Sequence, residues 1–178
     1  MENLQRMSLT NENEIKVQIR WMVYSDIPNV HAIERECFEY AWSEDDFMQC
    51  YWQRNCTGMV AEYSGKVIGY MFFEKTKSRI HLLNVATCPK YRHLGVGTQM
   101  VARLIGKLCN HRRRIILEVR ETNLAAQLFF RSLGFKATDI LKEFYEEMPE
   151  DAYQMVYRFK QESVILSEPI QSISLASV

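Results

Sequence analysis

No run in this 178-residue chain approaches the ~20 consecutive apolar residues that a membrane-spanning helix needs. The opening MENLQRMSLTNENE lacks the basic start, apolar middle and small-residue end of a secretory leader, so the sequence reads as cytoplasmic, with no membrane partner. Cysteine supplies no framework: the residues at 37, 50, 56, 88 and 109 are odd in number and never spaced Cys-x-x-Cys. That argues against a disulfide scaffold or a zinc site, and it leaves buried small apolar positions as their expected role, with no metal. Glycine and proline are scarce, at 7 and 4, and no repeat or linker divides the chain. With 47% apolar and 25% charged residues, the composition is that of one globular domain with a sizeable core.

Acidic residues are missing from a long internal stretch. Between Lys75 and Leu117 there are none, whereas Lys75, Lys77, Arg79, Lys90, Arg92, Arg103, Lys107 and Arg112 to Arg114 are all basic. From Glu118 the sign turns, through Glu121, Asp139, Glu143, Glu146, Glu147, Glu150 and Asp151, so a formal net charge of zero hides two opposed blocks. The Arg112-Arg113-Arg114 run reads as a short helix-to-strand connection without interleaved aromatics, and no direct nucleic-acid contact is expected from it.

Against this scarcity of glycine, YRHLGVGTQMV at 91 to 101 places two within three residues, where an apolar helix begins. Glycine in a helix costs about 1 kcal/mol relative to alanine, so the pair calls for a reason. A helix start offers free N–H groups and the positive dipole end, and Arg92 and His93 stand just ahead of it; a phosphate-type anion fits. A dinucleotide fingerprint wants a third glycine where Met100 stands, and a Walker loop wants a lysine that Gly97-Thr98 lacks. A turn with close helix packing is the structural alternative.

The periodicities give an alternating order of elements. Ile15 to Val23 reads as a strand, Asp26 with Pro28 opens a helix to about Cys37, and Ser43 with Asp46 caps a second helix to about Trp52. TGMVAEY, GKVIGYMFFEK and SRIHLLNVAT read as three strands, the first two joined at Ser64-Gly65. Val96 to Leu108 shows helical spacing, RIILEV is a buried strand, and Asn123 to Leu133 is a helix ended by Gly134. Strands near Phe135 to Lys142 and Tyr153 to Phe159 close the domain, expected over 15–160, with mobile tails at 1–14 and 161–178. The order is helix–helix, three strands, helix, strand, helix and two strands on one mixed sheet, an α/β class.

With these elements in place, NVATCPKYRHLGVGTQMV resembles the acyl-CoA motif of the GNAT N-acetyltransferase superfamily, here Arg92-x-x-Gly95-Val96-Gly97. LEVRETNLAAQLFFRSLGF, AWSEDDF and FYEEMPEDAYQM are similar to stretches of the branch that acetylates a ribosomal-protein alanine (RimI) and of its N-terminal acetyltransferase relatives. The likeness spans about residues 17 to 159. It implies a central mixed sheet with helices on both faces, in which two parallel strands splay apart. Acetyl-CoA is then expected along Val85, Ala86 and Thr87, as an added strand, with its pyrophosphate on the N–H groups of His93, Leu94, Gly95, Val96, Gly97 and Thr98 and Arg92 also binding it. Gly95 and Gly97 are expected to leave room for that phosphate. Asn123 matches a residue that hydrogen-bonds the pantetheine arm; a helix cap is the alternative reading.

The chemistry implied is transfer of acetyl to a neutral amine. An α-amine near 7.7–8.0 costs only about 1–1.4 kcal/mol to deprotonate at pH 7, against roughly 4.6 for lysine near 10.4. Glu118 matches the family's general base, acting through water; as a buried strand glutamate it otherwise needs Arg120 or a backbone group as partner. A backbone N–H near Val85 is the expected oxyanion donor. Tyr145 is expected at the acceptor, with Glu146, Glu147 and Glu150 favouring basic residues in a ribosomal-protein arm. Phe130 stands where the branch has a tyrosine thought to protonate the departing thiolate, leaving Tyr91, Tyr145 or water for that task. The alternatives are a GNAT enzyme for a small-molecule amine or internal lysine, a non-catalytic CoA-binding module, and a nucleic-acid binder using the arginines. A monomer or weak dimer is expected.

Overall fold

The computed structural model describes residues 13–145 and 149–159. The tails expected to be mobile fall outside these residues, except Asn13 and Glu14. Seven strands form one sheet in the order β1-β2-β3-β4-β5-β7-β6. They are β1 Gln18–Trp21, β2 Cys56–Tyr63, β3 Lys66–Lys75, β4 Arg79–Thr87, β5 Arg114–Arg120, β6 Lys136–Tyr145 and β7 Glu150–Arg158. The helices are α1 Ile27–Cys37, α2 Glu44–Trp52, α3 Val96–Ile105 and α4 Leu124–Ser132.

Local chemistry explains the punctuation. Asp26 precedes α1, accepting from Val23 N (2.9 Å) and from two nitrogens of Arg20 (2.7 and 2.9 Å). Ser43 and Asp46 form a reciprocal capping box at α2. Ser64 and Gly65 both take positive φ (50° and 74°), the geometry a tight hairpin between right-twisted strands requires. The first strand is shorter than expected. Ile15 N donates to Leu94 O (3.1 Å), and Gln99 clamps the segment through Val17 N (3.2 Å) and Ile15 O (2.7 Å), so this stretch lies along the α3 start instead of pairing in the sheet.

Two apolar layers sandwich the sheet. Met71, Phe73, Ile80, Leu82, Ile115 and Leu117 pack with α3 residues Val96, Met100, Val101 and Leu104 and with Phe130 of α4. Tyr70, Phe72 and Ala86 face the other way, against Ile27, Val30 and Ile33 of α1 and Phe47 of α2. Strand β3 is buried on both faces, which its run VIGYMFF permits.

The parallel pair decides where a ligand can enter. β4 and β5 are in register only at Arg79↔Arg114, Ile80↔Ile115 and His81↔Ile116. Beyond His81 they part, while β5 stays paired to β7 as far as Arg120↔Ala152. The register of β3 on β4 skips Leu83, between Phe73↔Leu82 and Phe72↔Asn84, so β4 carries a bulge at the point of divergence.

Candidate active site

The fork between β4 and β5 opens into a cleft of about 410 Å³. Its walls include His81, Asn84 and Val85 of β4, Glu118 and Arg120 of β5, Asn123 just before α4, Phe130 of α4, and Tyr145 at the end of β6. Glu118 alternates with the core residues Leu117 and Val119 and so projects to the α1 face, as does His81 between Ile80 and Leu82. They meet across the fork: His81 Nε2 lies 2.5 Å from Glu118 Oε2. Gln154 Nε2 of β7 donates to the second oxygen at 3.4 Å. The imidazole is the more exposed partner, 26% against 11% for the carboxylate side chain. A carboxylate that fixes an imidazole at a cleft wall is an arrangement suited to accepting a proton from a cationic amine.

On the α1 side Glu34 is 1% exposed. It accepts from Trp42 N (2.9 Å), Asn84 Nδ2 (3.1 Å) and the Tyr70 hydroxyl. Burial and the neighbouring carboxylate push the Tyr70 phenol above its ordinary value, so it stays a donor. Glu34 thereby ties the α1–α2 connection to the bulged part of β4.

The glycine turn lies at the far end of β4. Gly95 sits at φ 77° as the cap of α3, and His93 also has positive φ (61°). The backbone thus turns sharply just before the helix dipole begins. A Cβ on Gly95 would come within 3.0 Å of the Glu14 side chain, and one on Gly97 within 3.1 Å of the Phe129 ring. Gly97 thus also serves the packing of α3 on α4, a second demand for a small residue beside the expected room for phosphate. Arg92 Nε donates to Thr87 O at 3.3 Å, drawing the cation toward the end of β4.

A model of the acetyltransferase (GNAT) family matches residues 27–135. The chain belongs to that family. It is 31% identical over 145 residues to an uncharacterized N-acetyltransferase of Methanocaldococcus jannaschii, covering 78% of this chain and 89% of the relative. It is 29% identical over 143 residues to a putative ribosomal protein bS18-alanine N-acetyltransferase of Bacillus subtilis, covering 79% and 94%. The crystal structure of the ribosomal-protein-S18-alanine N-acetyltransferase from Escherichia coli superposes with a TM-score of 0.75 at 25% identity, over 85% of this chain and 99% of that one. This GNAT protein is accordingly an acetyl-CoA-dependent N-acetyltransferase with the mixed α/β fold.

The fold of the GNAT enzyme brings the sequence-predicted residues together at two places. Val85, Ala86 and Thr87 form the part of β4 that has left β5, and Arg92 through Thr98 form the turn and first residues of α3. Glu118, Asn123 and Tyr145 share the cleft with Phe130. Asn123 also caps α4, its Oδ1 accepting from Ala126 N at 3.0 Å, so the cap reading holds. Arg120 pairs with Glu150 (2.9 Å), not with Glu118, and stacks its guanidinium 3.7 Å from the Tyr145 ring. Glu150 also takes Thr122 N (3.1 Å) and Thr122 Oγ1 (2.5 Å), and these hydrogen bonds with that from Arg120 hold its carboxyl below the usual range. It is thus committed to the fold, which removes it from the expected acidic face, and Glu146 and Glu147 lie outside the described residues. Tyr91 stacks on Tyr63 instead of lining the cleft. Of the cysteines only Cys56 is fully buried; the others are half-buried, Cys37 beside Thr87 O (3.4 Å) with its thiol pushed up by burial.

Sequence reasoning missed His81, Gln154 and Glu34. Alternation along β4 puts His81 on one face, but its partner is set by the register of strands 37 positions apart.

Proposed function

We propose that this enzyme acetylates the N-terminal α-amine of a protein, with a ribosomal-protein alanine as the acceptor class that its relatives suggest. The observation that carries the reading is the Glu118–His81 pair at the mouth of the fork. In this reading the unpaired edge of Val85 to Thr87 receives the pantetheine arm by strand addition, and the Arg92 to Thr98 turn receives the pyrophosphate. Acetyl-CoA supplies an activated acyl carbonyl. The pair takes the α-ammonium proton, directly or through one water. In this reading an N–H near Val85 would donate to the developing oxyanion, and Tyr145, stacked on Arg120 in the cleft wall, would border the acceptor.

A base of this kind suits an α-amine. Deprotonation at pH 7 costs about 1–1.4 kcal/mol for a terminal amine and roughly 4.6 for a lysine. The test is transfer from acetyl-CoA to a peptide beginning with Ala, compared with the same peptide blocked at its N-terminus and carrying an internal Lys. Acetylation of the free N-terminus with the blocked peptide untouched is expected; the reverse preference would move the enzyme to lysine acceptors.

A further inference from the structure

At the sheet end opposite the fork, three arginines stand side by side: Arg79 is in register with Arg114, and Arg114 with Arg158. All three are exposed. Their chain neighbours Ile80, Ile115 and Tyr157 join the α3-side core, so the arginines project together from the other face. Strands lie only ~4.8 Å apart, and like charges placed directly opposite destabilise a sheet. Among the described residues none of the three enters an ion pair.

The cations continue over the rim. Arg112 Nε donates to Thr76 O (2.9 Å) and Arg113 N to Ser78 O (3.4 Å), which lays the Lys75–Arg79 turn against the connection that carries Lys107, Arg112 and Arg113. On the α3 side, Lys107 Nζ lies 4.0 Å and Lys75 Nζ 5.6 Å from the Trp21 ring, and Trp21 is 51% exposed. Burial first, then Arg103 and Lys75, push the Lys107 ammonium below its ordinary value. The aromatic that the basic stretch lacks in sequence is thus supplied by β1.

We propose that this end of the sheet binds single-stranded nucleic acid, the Arg79–Arg114–Arg158 row taking backbone phosphates and the exposed part of Trp21 taking a base. Three forces favour that occupant. Planar guanidiniums match phosphate oxygens in pairs. An indole beside cations is the recurring platform for an unpaired base. The charges also lie on both faces of the sheet and around its rim, a path that a flexible polyanion follows and a flat membrane does not. Phosphate contact would in addition relieve the repulsion within the arginine row.

The test is fluorescence polarisation of the full chain with labelled oligo(U) RNA and oligo(dT) DNA of about 20 nucleotides, over a salt series. Binding that weakens with salt, by a slope of about −0.7 for each phosphate neutralised, is expected, and the relative affinity of the two oligomers identifies the source of the strand. The triple variant Arg79→Gln, Arg114→Gln, Arg158→Gln should flatten the slope by about 2 and weaken binding roughly tenfold or more. Its Tm should not fall, because like charges have been removed, and peptide acetylation should not change. Absent or salt-independent binding by the wild type overturns the proposal. So does a variant with unchanged slope, or a wild type that prefers phosphatidylserine vesicles to either oligomer.

Discussion

Replacing Glu118 by glutamine keeps the size of the side chain and removes its charge. At this site the change exchanges an acceptor for a donor next to two neighbours that approach at 2.5 Å and 3.4 Å, His81 Nε2 and Gln154 Nε2. The imidazole loses the anion that orients it, and the carboxylate no longer takes part in accepting the proton. A positioned base is worth about 10²–10⁴ in rate, or roughly 2.7–5.4 kcal/mol. Because the α-amine is already within about 1–1.4 kcal/mol of neutrality at pH 7, the lower end applies, and kcat/KM for an Ala-peptide should fall about 10²-fold. Raising the pH to about 9 frees the amine without help, so the deficit should shrink by about tenfold. His81→Asn should produce a loss of similar size, and the double variant little more, because residues acting as a unit are not additive. Acetyl-CoA affinity, measured by calorimetry, should stay within about twofold in all three. Full activity of Glu118→Gln, a deficit that does not change with pH, or losses that multiply in the double variant would each refute the reasoning.

Phe130 lines the cleft at 5% exposure, packed on Phe129 and Phe135 with centroids 5.1 and 5.3 Å away, and has no proton to give a departing thiolate. Phe130→Tyr should raise kcat several-fold at neutral pH and less at acidic pH, in a steady-state thiol-release assay. Gly97→Glu must push against the Phe129 ring at the start of α3 and places an anion at the turn; calorimetry should find acetyl-CoA binding lost, with circular dichroism still showing a folded chain. The Arg20 guanidinium holds the Asp26 carboxyl below its usual range, so its stabilisation is complete above the unfolded value near 3.9 and is lost as pH falls through the lower folded value. Asp26→Asn should lower stability at pH 7 by about 1–2 kcal/mol, since Arg20 is partly exposed and keeps Glu62, and should flatten the acid limb of a urea-denaturation series.

Much of the scaffold was legible because its signals are local. The Ser43–Asp46 box, the Ser64-Gly65 hairpin and the Gly134 stop each act within a few residues, and each starts or ends an element where it was read. The alternating order of strands and helices follows from periodicity, whereas the two layers of the core appear only in the fold. What stayed hidden depends on register and packing between distant segments. Glu118 was readable as an odd carboxylate in an apolar strand, but its partner His81 comes from the strand across the fork and Gln154 from the strand beyond. Charge in sequence also misled: Glu150 belongs to an acidic block yet is occupied by Arg120 and Thr122.

The central claim is that the fork delivers acetyl to a protein N-terminus. Mass spectrometry after incubation of the enzyme with acetyl-CoA and an equimolar mixture of an Ala-peptide, its N-terminally blocked counterpart bearing lysine, and a small diamine tests it directly. The account predicts one acetyl group, on the α-amine of the Ala-peptide, appearing before any other product and lost in Glu118→Gln. Acetyl found first on lysine or on the diamine, or no transfer to any amine by an enzyme that binds acetyl-CoA, would contradict it.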